Sequence, residues 1–319
     1  MQQPNRVSII IKRLSGIPAG MILLPLLLGS LVNTLTPNAL SIGSYTTALF
    51  SSAGAAPLMA LQLFCIGAQV RLKSLGLVIR RGGVLLLSRA AAGFIVALLF
   101  RLLALDGMIA GISALAAVAA VSNTNGSIFI ATMSLLKRED YAAAAPVLAL
   151  SNGPLLTLLI LGASGVSTFS LLPLLALTLP MLLGVLLGNV SRKAADFLAP
   201  GVALTLPFIG FALGAGIDLR QLWLGGVSGL LLALFSLVIG GAIAWLFDRT
   251  LNRENGAAGI AASATGANAI AVPAAIALAN PVWQNAAGTA TAQIGVAVIV
   301  GAILVPLLAQ RLNRVSKGN

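Results

Sequence analysis

Ser122-Asn123-Thr124-Asn125-Gly126-Ser127 interrupts an apolar run, Gly107–Leu136, that is otherwise long enough to cross a bilayer. Polar side chains and a Gly in the middle of such a run open the backbone hydrogen-bond ladder. At membrane depth such breaks survive only where they line a cavity or bind something. A second interruption of the same character, SATGANAIAVP, covers Ser263 to Pro273. Paired interruptions in corresponding segments of two halves point to the binding site of a secondary transporter.

The rest of the chain has the composition this reading needs. Of its 319 residues 59% are hydrophobic and 8% charged, with a mean hydropathy of +1.04, against roughly 25% charged residues in soluble domains. The chain reads as an all-α polytopic membrane protein of about ten transmembrane helices. The spans fall near Gly16–Val32, Tyr45–Val70, Gly82–Leu103, Gly107–Leu136, Ala142–Leu161, Phe169–Val190, Pro200–Ile217, Trp223–Phe247, Gly256–Ala279 and Ala286–Leu308.

The net charge of +12 is spread through short loops, without the aromatic platforms of a nucleic-acid surface, and it reads as topology. With the N-terminus cytoplasmic, sixteen basic residues share that side: Arg6, Lys12 and Arg13; Arg71, Lys73, Arg80 and Arg81; Lys137 and Arg138; Arg192 and Lys193; Arg249 and Arg253; Arg311, Arg314 and Lys317. Only Arg101 and Arg220 face the other side, so both termini are expected in the cytoplasm of a bacterial inner membrane. The first span lacks a small-residue cleavage site and is expected to be retained. Cys65 is the single cysteine, so an intrachain disulfide is excluded.

The halves resemble one another. IGAQVRLKSL from Ile66 aligns with LGAGIDLRQL from Leu213, 147 residues on, and Gly111-Ile112 aligns with Gly259-Ile260. Two repeats of five spans each, 1–165 and 166–319, follow, and an odd number of spans inverts the second copy. The charges agree: Arg71 and Lys73 fall inside, their equivalents Asp218 and Arg220 outside. The plainer alternative is chance similarity between low-complexity apolar sequences.

Candidate substrate ligands are Ser122, Asn123, Thr124 and Asn125 at the first break, Asn268 at the second, and Ser151, Asn152 and Gln293 in the spans that follow, near Thr289 and Thr291. Their plainer role is to knit helices together, as small polar residues do in membranes. Gln62 and Gln69 are weaker candidates. Arg89 is the one basic residue embedded in a span. A buried Arg needs a partner, which the carboxylate of an acidic substrate supplies; the alternative is snorkelling to the cytoplasmic surface. Neutral oxygens of Asn123, Asn125, Ser263 and Thr265 are candidates for a coupling Na⁺, and Asp218 for a coupling proton.

The seven acidic residues map to loops or span ends, and the chain has no His. Ser-His and Cys-His nucleophiles and H-E-x-x-H zinc sites are therefore absent, and no phosphate-binding loop is present. The chain reads as neither an enzyme nor an ATP-driven pump, with no cofactor. Its partners are a small organic anion, a coupling cation (H⁺ or Na⁺) and the lipid bilayer, with no nucleic acid. A passive channel or membrane scaffold is the alternative: a carrier saturates and shows counterflow, and a channel does neither.

GIPAGMILLPLLLGSLVNT (Gly16 to Thr34), LFCIGAQVRLKS (Leu63 to Ser74), TNGS (Thr124 to Ser127), SNGPLLTLLILGASG (Ser151 to Gly165), LPFIGFALGAGIDL (Leu206 to Leu219) and GAAGIAAS (Gly256 to Ser263) together resemble the 2-keto-3-deoxygluconate permease family over nearly the whole chain. The resemblance implies an inner-membrane symporter for that sugar acid, conventionally proton-coupled. It also implies a fold similar to the bile-acid sodium symporters: a panel of spans one, two, six and seven, and a core of the others around two crossed, broken helices. Arg71, Arg89 and Asp218 match the family's pattern. Ser122 and Ser151 stand where that pattern implies acidic residues, and Gln293 replaces an apolar position.

Overall fold

A computed structural model describes residues 20–37, 39–70, 76–104, 108–142, 144–167, 171–216 and 219–318. Asp218 and the topology markers Arg6, Lys12, Arg13, Arg71 and Lys73 lie outside the described residues. In chain order the main elements are α1 (Gly20–Leu35), α2 (Ala55–Gln69), α3 (Gly76–Leu103), the hairpin β1–β2 (Met108–Ile109 and Ile112–Ser113), α4 (Ala114–Ser122), α5 (Gly126–Leu135) and α6 (Pro154–Ala163). They continue with α7 (Leu171–Val190), α8 (Arg192–Gly214), α9 (Leu219–Phe235), a π-helical segment (Ser236–Gly240), α10 (Gly241–Thr250), α11 (Ala257–Ala262), a 3-10 turn (Ala267–Ala271), α12 (Val272–Ala279) and α13 (Gln284–Gly318).

The described residues form an all-α protein apart from the one small hairpin. Five helical stretches are long and apolar enough to cross a membrane: Ser52–Gln69, Arg80–Leu103, Arg192–Gly214, Gly226–Thr250 and Pro281–Ser316. The bent pair Asp140–Ser151 and Pro154–Ala163 makes a sixth. Shorter apolar helices run over Leu24–Leu35, Gly126–Leu135, Thr178–Val190 and Ala267–Ala279. The difference from ten continuous spans lies largely in the breaks, which divide the fourth and ninth expected spans into halves each too short to cross alone.

One expected boundary moves. The fourth span was expected from Gly107, but residues 108–113 form the hairpin, pairing Met108 with Ser113 and Ile109 with Ile112. Gly111, at φ +74°, and Ala110, at φ +51°, adopt left-handed backbone at its turn. The helix starts only where the Ser113 hydroxyl accepts the Ala116 amide at 3.1 Å.

Two packing layers position the site. In one, α1 lies along α8 and α7 along α2, with α2 also against α8. Backbones touch there: a Cβ at Gly29 would strike the Phe211 carbonyl, and one at Gly214 the Leu26 carbonyl. In the same way Gly184 meets the Phe64 carbonyl and Gly67 that of Met181. Small residues permit such contact, which supplies the van der Waals packing that lipid-solvated helices depend on. In the other layer α3 packs on α4, α10 on α11 and α9 on α13, and the Ala-rich α4 is buried along its whole length.

Candidate functional site

The two broken segments meet. Thr124 and Thr265 form a single antiparallel bridge. The Asn125 amide donates to the Ala264 carbonyl at 2.7 Å and the Gly266 amide to the Asn123 carbonyl at 3.1 Å. Each break thus satisfies part of the backbone that the other leaves open, which is how non-helical chain is tolerated at membrane depth. The approach at Gly266 is tight, since a Cβ there would lie 3.0 Å from the Thr124 carbonyl oxygen.

Side chains complete the crossing. The Asn123 amide group donates to the Ala119 carbonyl (3.1 Å), to Ser122 Oγ (3.3 Å) and to Thr157 Oγ1 (3.2 Å), and its Oδ1 accepts the Gly153 amide at 2.9 Å. Ser122 and Thr157 share a hydrogen bond of 3.0 Å. The Thr124 hydroxyl donates to the Ala262 carbonyl and its amide to Ser151 Oγ, which in turn donates to the Leu148 carbonyl. Asn125 caps α5 by accepting the Ile128 amide at 3.2 Å and donates to the Thr265 carbonyl at 3.4 Å. Ser263 donates back to the Ile260 carbonyl, and Thr265 pairs with Ser236 at 3.4 Å. Ser122, Asn123, Thr124, Ser151, Ser263 and Thr265 are all buried and mainly hold the crossing together.

A cavity of about 250 Å³ lies against the crossing. Among the sequence candidates, Thr124, Asn125, Asn152, Asn268 and the weaker candidate Gln69 line it, together with Ser127. It shares Gln69, Gly126, Ser127 and Ala149 with a wider opening that Ala142 and Pro146 also border. Asn152 Oδ1 is buried without a hydrogen-bond partner. Among the described residues no charged one lines this cavity, and the groups that face an entering anion are amides and the N-terminal end of α5. A second cavity, of about 280 Å³, is lined by Ala55, Met59, Leu213, Gly216, Gln284 and Thr291 among others.

Two candidates lie elsewhere. Gln293 Nε2 donates to the Gly111 carbonyl at 2.7 Å and to Ser228 Oγ at 2.9 Å, tying α13 to the hairpin and α9. Arg89 is fully buried in α3, and its Nη2 donates to the Ala120 and Asn123 carbonyls, both at 3.4 Å, on a face of the crossing that lines neither cavity.

Asp248 was placed by the sequence at a span end, and the structure buries it completely. It accepts the Tyr141 hydroxyl at 2.6 Å, the Asn252 amide group at 3.0 Å and the Gly259 amide at 3.3 Å. Arg81 and Arg138 lie over the Tyr141 ring at 5.0 and 4.8 Å and both pair with Asp140 and Glu254. The only sequence signal was Asp248 and Asn252 at helical i, i+4 spacing.

Comparison with known proteins gives the family. The family model described as 2-keto-3-deoxygluconate permease matches residues 11–318. A 2-keto-3-deoxygluconate permease of Xanthomonas euvesicatoria pv. vesicatoria is 43% identical over 298 residues, covering 92% of this chain and 93% of its own length. The 2-keto-3-deoxygluconate permease 1 of Salmonella typhimurium is 39% identical over 298 residues, 93% of each chain. The corresponding permease of Pectobacterium carotovorum subsp. carotovorum is 37% identical, again over 298 residues. These relatives are permeases and not enzymes, and with apolar helices throughout, this multi-pass membrane protein belongs to the 2-keto-3-deoxygluconate permease family.

Proposed function

We propose that the protein is a secondary transporter that imports 2-keto-3-deoxygluconate, or a closely related small organic anion, across the bacterial inner membrane together with H⁺ or Na⁺ by alternating access. The observation that carries the reading is the crossing of two broken helices beside a polar cavity. The names of the relatives supply the substrate.

Two inverted five-span repeats, 1–165 and 166–319, are supported by recurrence within the structure. Ala55, Met59, Ile66 and Gln69 lie 147 residues before Val202, Leu206, Leu213 and Gly216. Ile66, Gln69, Val202 and Leu206 line the first cavity; Ala55, Met59, Leu213 and Gly216 line the second. The same four positions of each repeat are thus used twice with the partners exchanged, as expected of two vestibules on opposite sides of the crossing. Phe64 and Phe211, also 147 apart, each meet a glycine of the neighbouring helix at their carbonyls, Gly184 and Gly29. This exchange supports a panel of spans one, two, six and seven that moves against a core of spans three to five and eight to ten. The distribution of basic residues supports a cytoplasmic side for the first cavity and both termini.

In this reading Asn125, Asn152 and Asn268, with Thr124, hold the sugar hydroxyls, and the substrate carboxylate lies toward the N-terminus of α5. Ser122, Asn123 and Ser151 shape the site from behind, Gln293 steadies α13, and Arg89 supplies positive charge. Oxygens of Asn123, Asn125, Ser263 and Thr265 are proposed for a coupling Na⁺, or Asp218 for a proton.

The test is uptake of labelled 2-keto-3-deoxygluconate into proteoliposomes under a proton gradient alone and then under a Na⁺ gradient alone. Saturable accumulation under one of them, with counterflow, is the expected result. Flux without saturation or counterflow would make the protein a channel.

A further inference from the structure

We infer that Arg89 is a resident cation of the crossed break: its guanidinium occupies the cluster of oxygens behind the crossing that an inorganic cation would otherwise fill, and positions both broken helices from there. This rests on the transporter reading and deepens it.

Arg89 is fully buried, and among the described residues no carboxylate forms an ion pair with it. An unpaired charge at membrane depth is costly and is kept where function requires it. Its Nη2 is held by the carbonyls of Ala120 and Asn123 at the C-terminal end of α4, the negative end of that half-helix. Ser236 Oγ donates to the same Ala120 carbonyl at 3.5 Å and pairs with Thr265 Oγ1. The far side is closed by the π-helical segment, where a Cβ at Gly240 would lie 3.0 Å from Nη1.

Two carbonyls at the end of a broken helix, one of them also bonded by the Ser236 hydroxyl, are the kind of ligand set that transporters use for a coupling cation. Here the cation is covalently part of α3, permanently charged, and its weakly hydrated guanidinium suits a dry site. The Asn123 carbonyl that receives Arg89 also receives the Gly266 amide, so the guanidinium acts directly on the junction of the two breaks. Among the described residues Nε and Nη1 have no hydrogen-bond partner and no carboxylate balances the charge. Its field favours an anion in the cavity that Thr124 and Asn125, the next two residues, line. It also repels Na⁺ from the Asn123 carbonyl, which narrows the oxygens proposed for a coupling Na⁺ to those on the Asn125 side of the crossing.

The experiment uses the purified full-length chain, with Arg89→Gln and Arg89→Lys as variants. Melting is followed in choline chloride, in NaCl and in millimolar guanidinium chloride. The wild type should respond alike to the three salts. Arg89→Gln should melt lower and be raised selectively by guanidinium or Na⁺, because a ligand that refills the site stabilises the folded state. In proteoliposomes Arg89→Gln should lose uptake by about 10- to 100-fold, the range for groups that orient a binding site from behind. It should regain part of that loss with the same cation, with its preference for the sugar acid over the amide weakened but kept. Arg89→Lys should fold and recover part of the uptake that Arg89→Gln loses. A salt-indifferent melting of Arg89→Gln, or a folded but inactive Arg89→Lys, would overturn the proposal. Loss of the preference for the acid over the amide would instead put Arg89 on the substrate carboxylate. A wild-type protein that takes up no sugar acid would sink the transporter reading, while the melting series would still decide the role of Arg89.

Discussion

Asn125 uses both ends of its amide, Oδ1 as the cap of α5 and Nδ2 on the Thr265 carbonyl across the crossing, while it also borders the cavity. Replacing it with Ala removes a helix cap, which costs about 0.5–2 kcal/mol, and a bond across the break, which in membranes averages about 0.6 kcal/mol. Asn125→Ala is expected to remain folded, with a modestly lower melting temperature, and to lose uptake; normal uptake would remove Asn125 from the substrate site. Asp248 differs, because three donors converge on it in a buried place. Asp248→Ala leaves them without an acceptor and should cost about 3 kcal/mol. Tyr141→Phe, which removes one donor, should cost far less, and thermal melting of the two variants compares them directly. The value of Asp248 was not legible in the sequence, where it was one more acidic residue near a span end. Tyr141 is 107 positions away, and only folding brings them together.

At the scale of the element, the breaks were readable and the contacts between elements were not. Asn and Gly inside an apolar run announce an open hydrogen-bond ladder whatever the fold. Which groups close that ladder depends on the other half of the chain: the Ala264 carbonyl for Asn125 and the Asn123 carbonyl for Gly266. The glycines of the α1–α8 and α2–α7 pairs make the same point. Gly67→Ala places a methyl group into the Met181 carbonyl and should cost about 1–3 kcal/mol as overpacking. Gly226→Ala, in α9 with nothing within 4 Å, should be neutral or stabilise by roughly 0.5–1 kcal/mol. Heating each variant and measuring the fraction that stays monodisperse in detergent tests the contrast. Equal behaviour would mean that the packing at Gly67 yields.

For the whole molecule, alternating access predicts opposite responses on the two sides. In a Cys65→Ala background, Ser127→Cys reports on the first cavity and Gly288→Cys on the second. A membrane-impermeant thiol reagent should reach the first from the cytoplasm and the second from outside. Substrate should change the two labelling rates in opposite directions, whereas a channel would expose both at once.

The sequence by itself determined the medium and the two breaks, because hydropathy and the opening of the backbone ladder are local properties of the chain. It also singled out Arg89 and the Asn residues, since polar groups are rare in membrane spans and conspicuous there. Only the tertiary structure decided what those groups touch. Thr124, Asn125, Asn152 and Asn268 border a cavity, Ser122 and Asn123 are spent on the crossing, Gln293 ties a hairpin, and Arg89 turns to the carbonyls of Ala120 and Asn123. The reason is physical: a buried polar side chain goes where its hydrogen bonds can be satisfied, and those partners lie on helices that are distant in the chain.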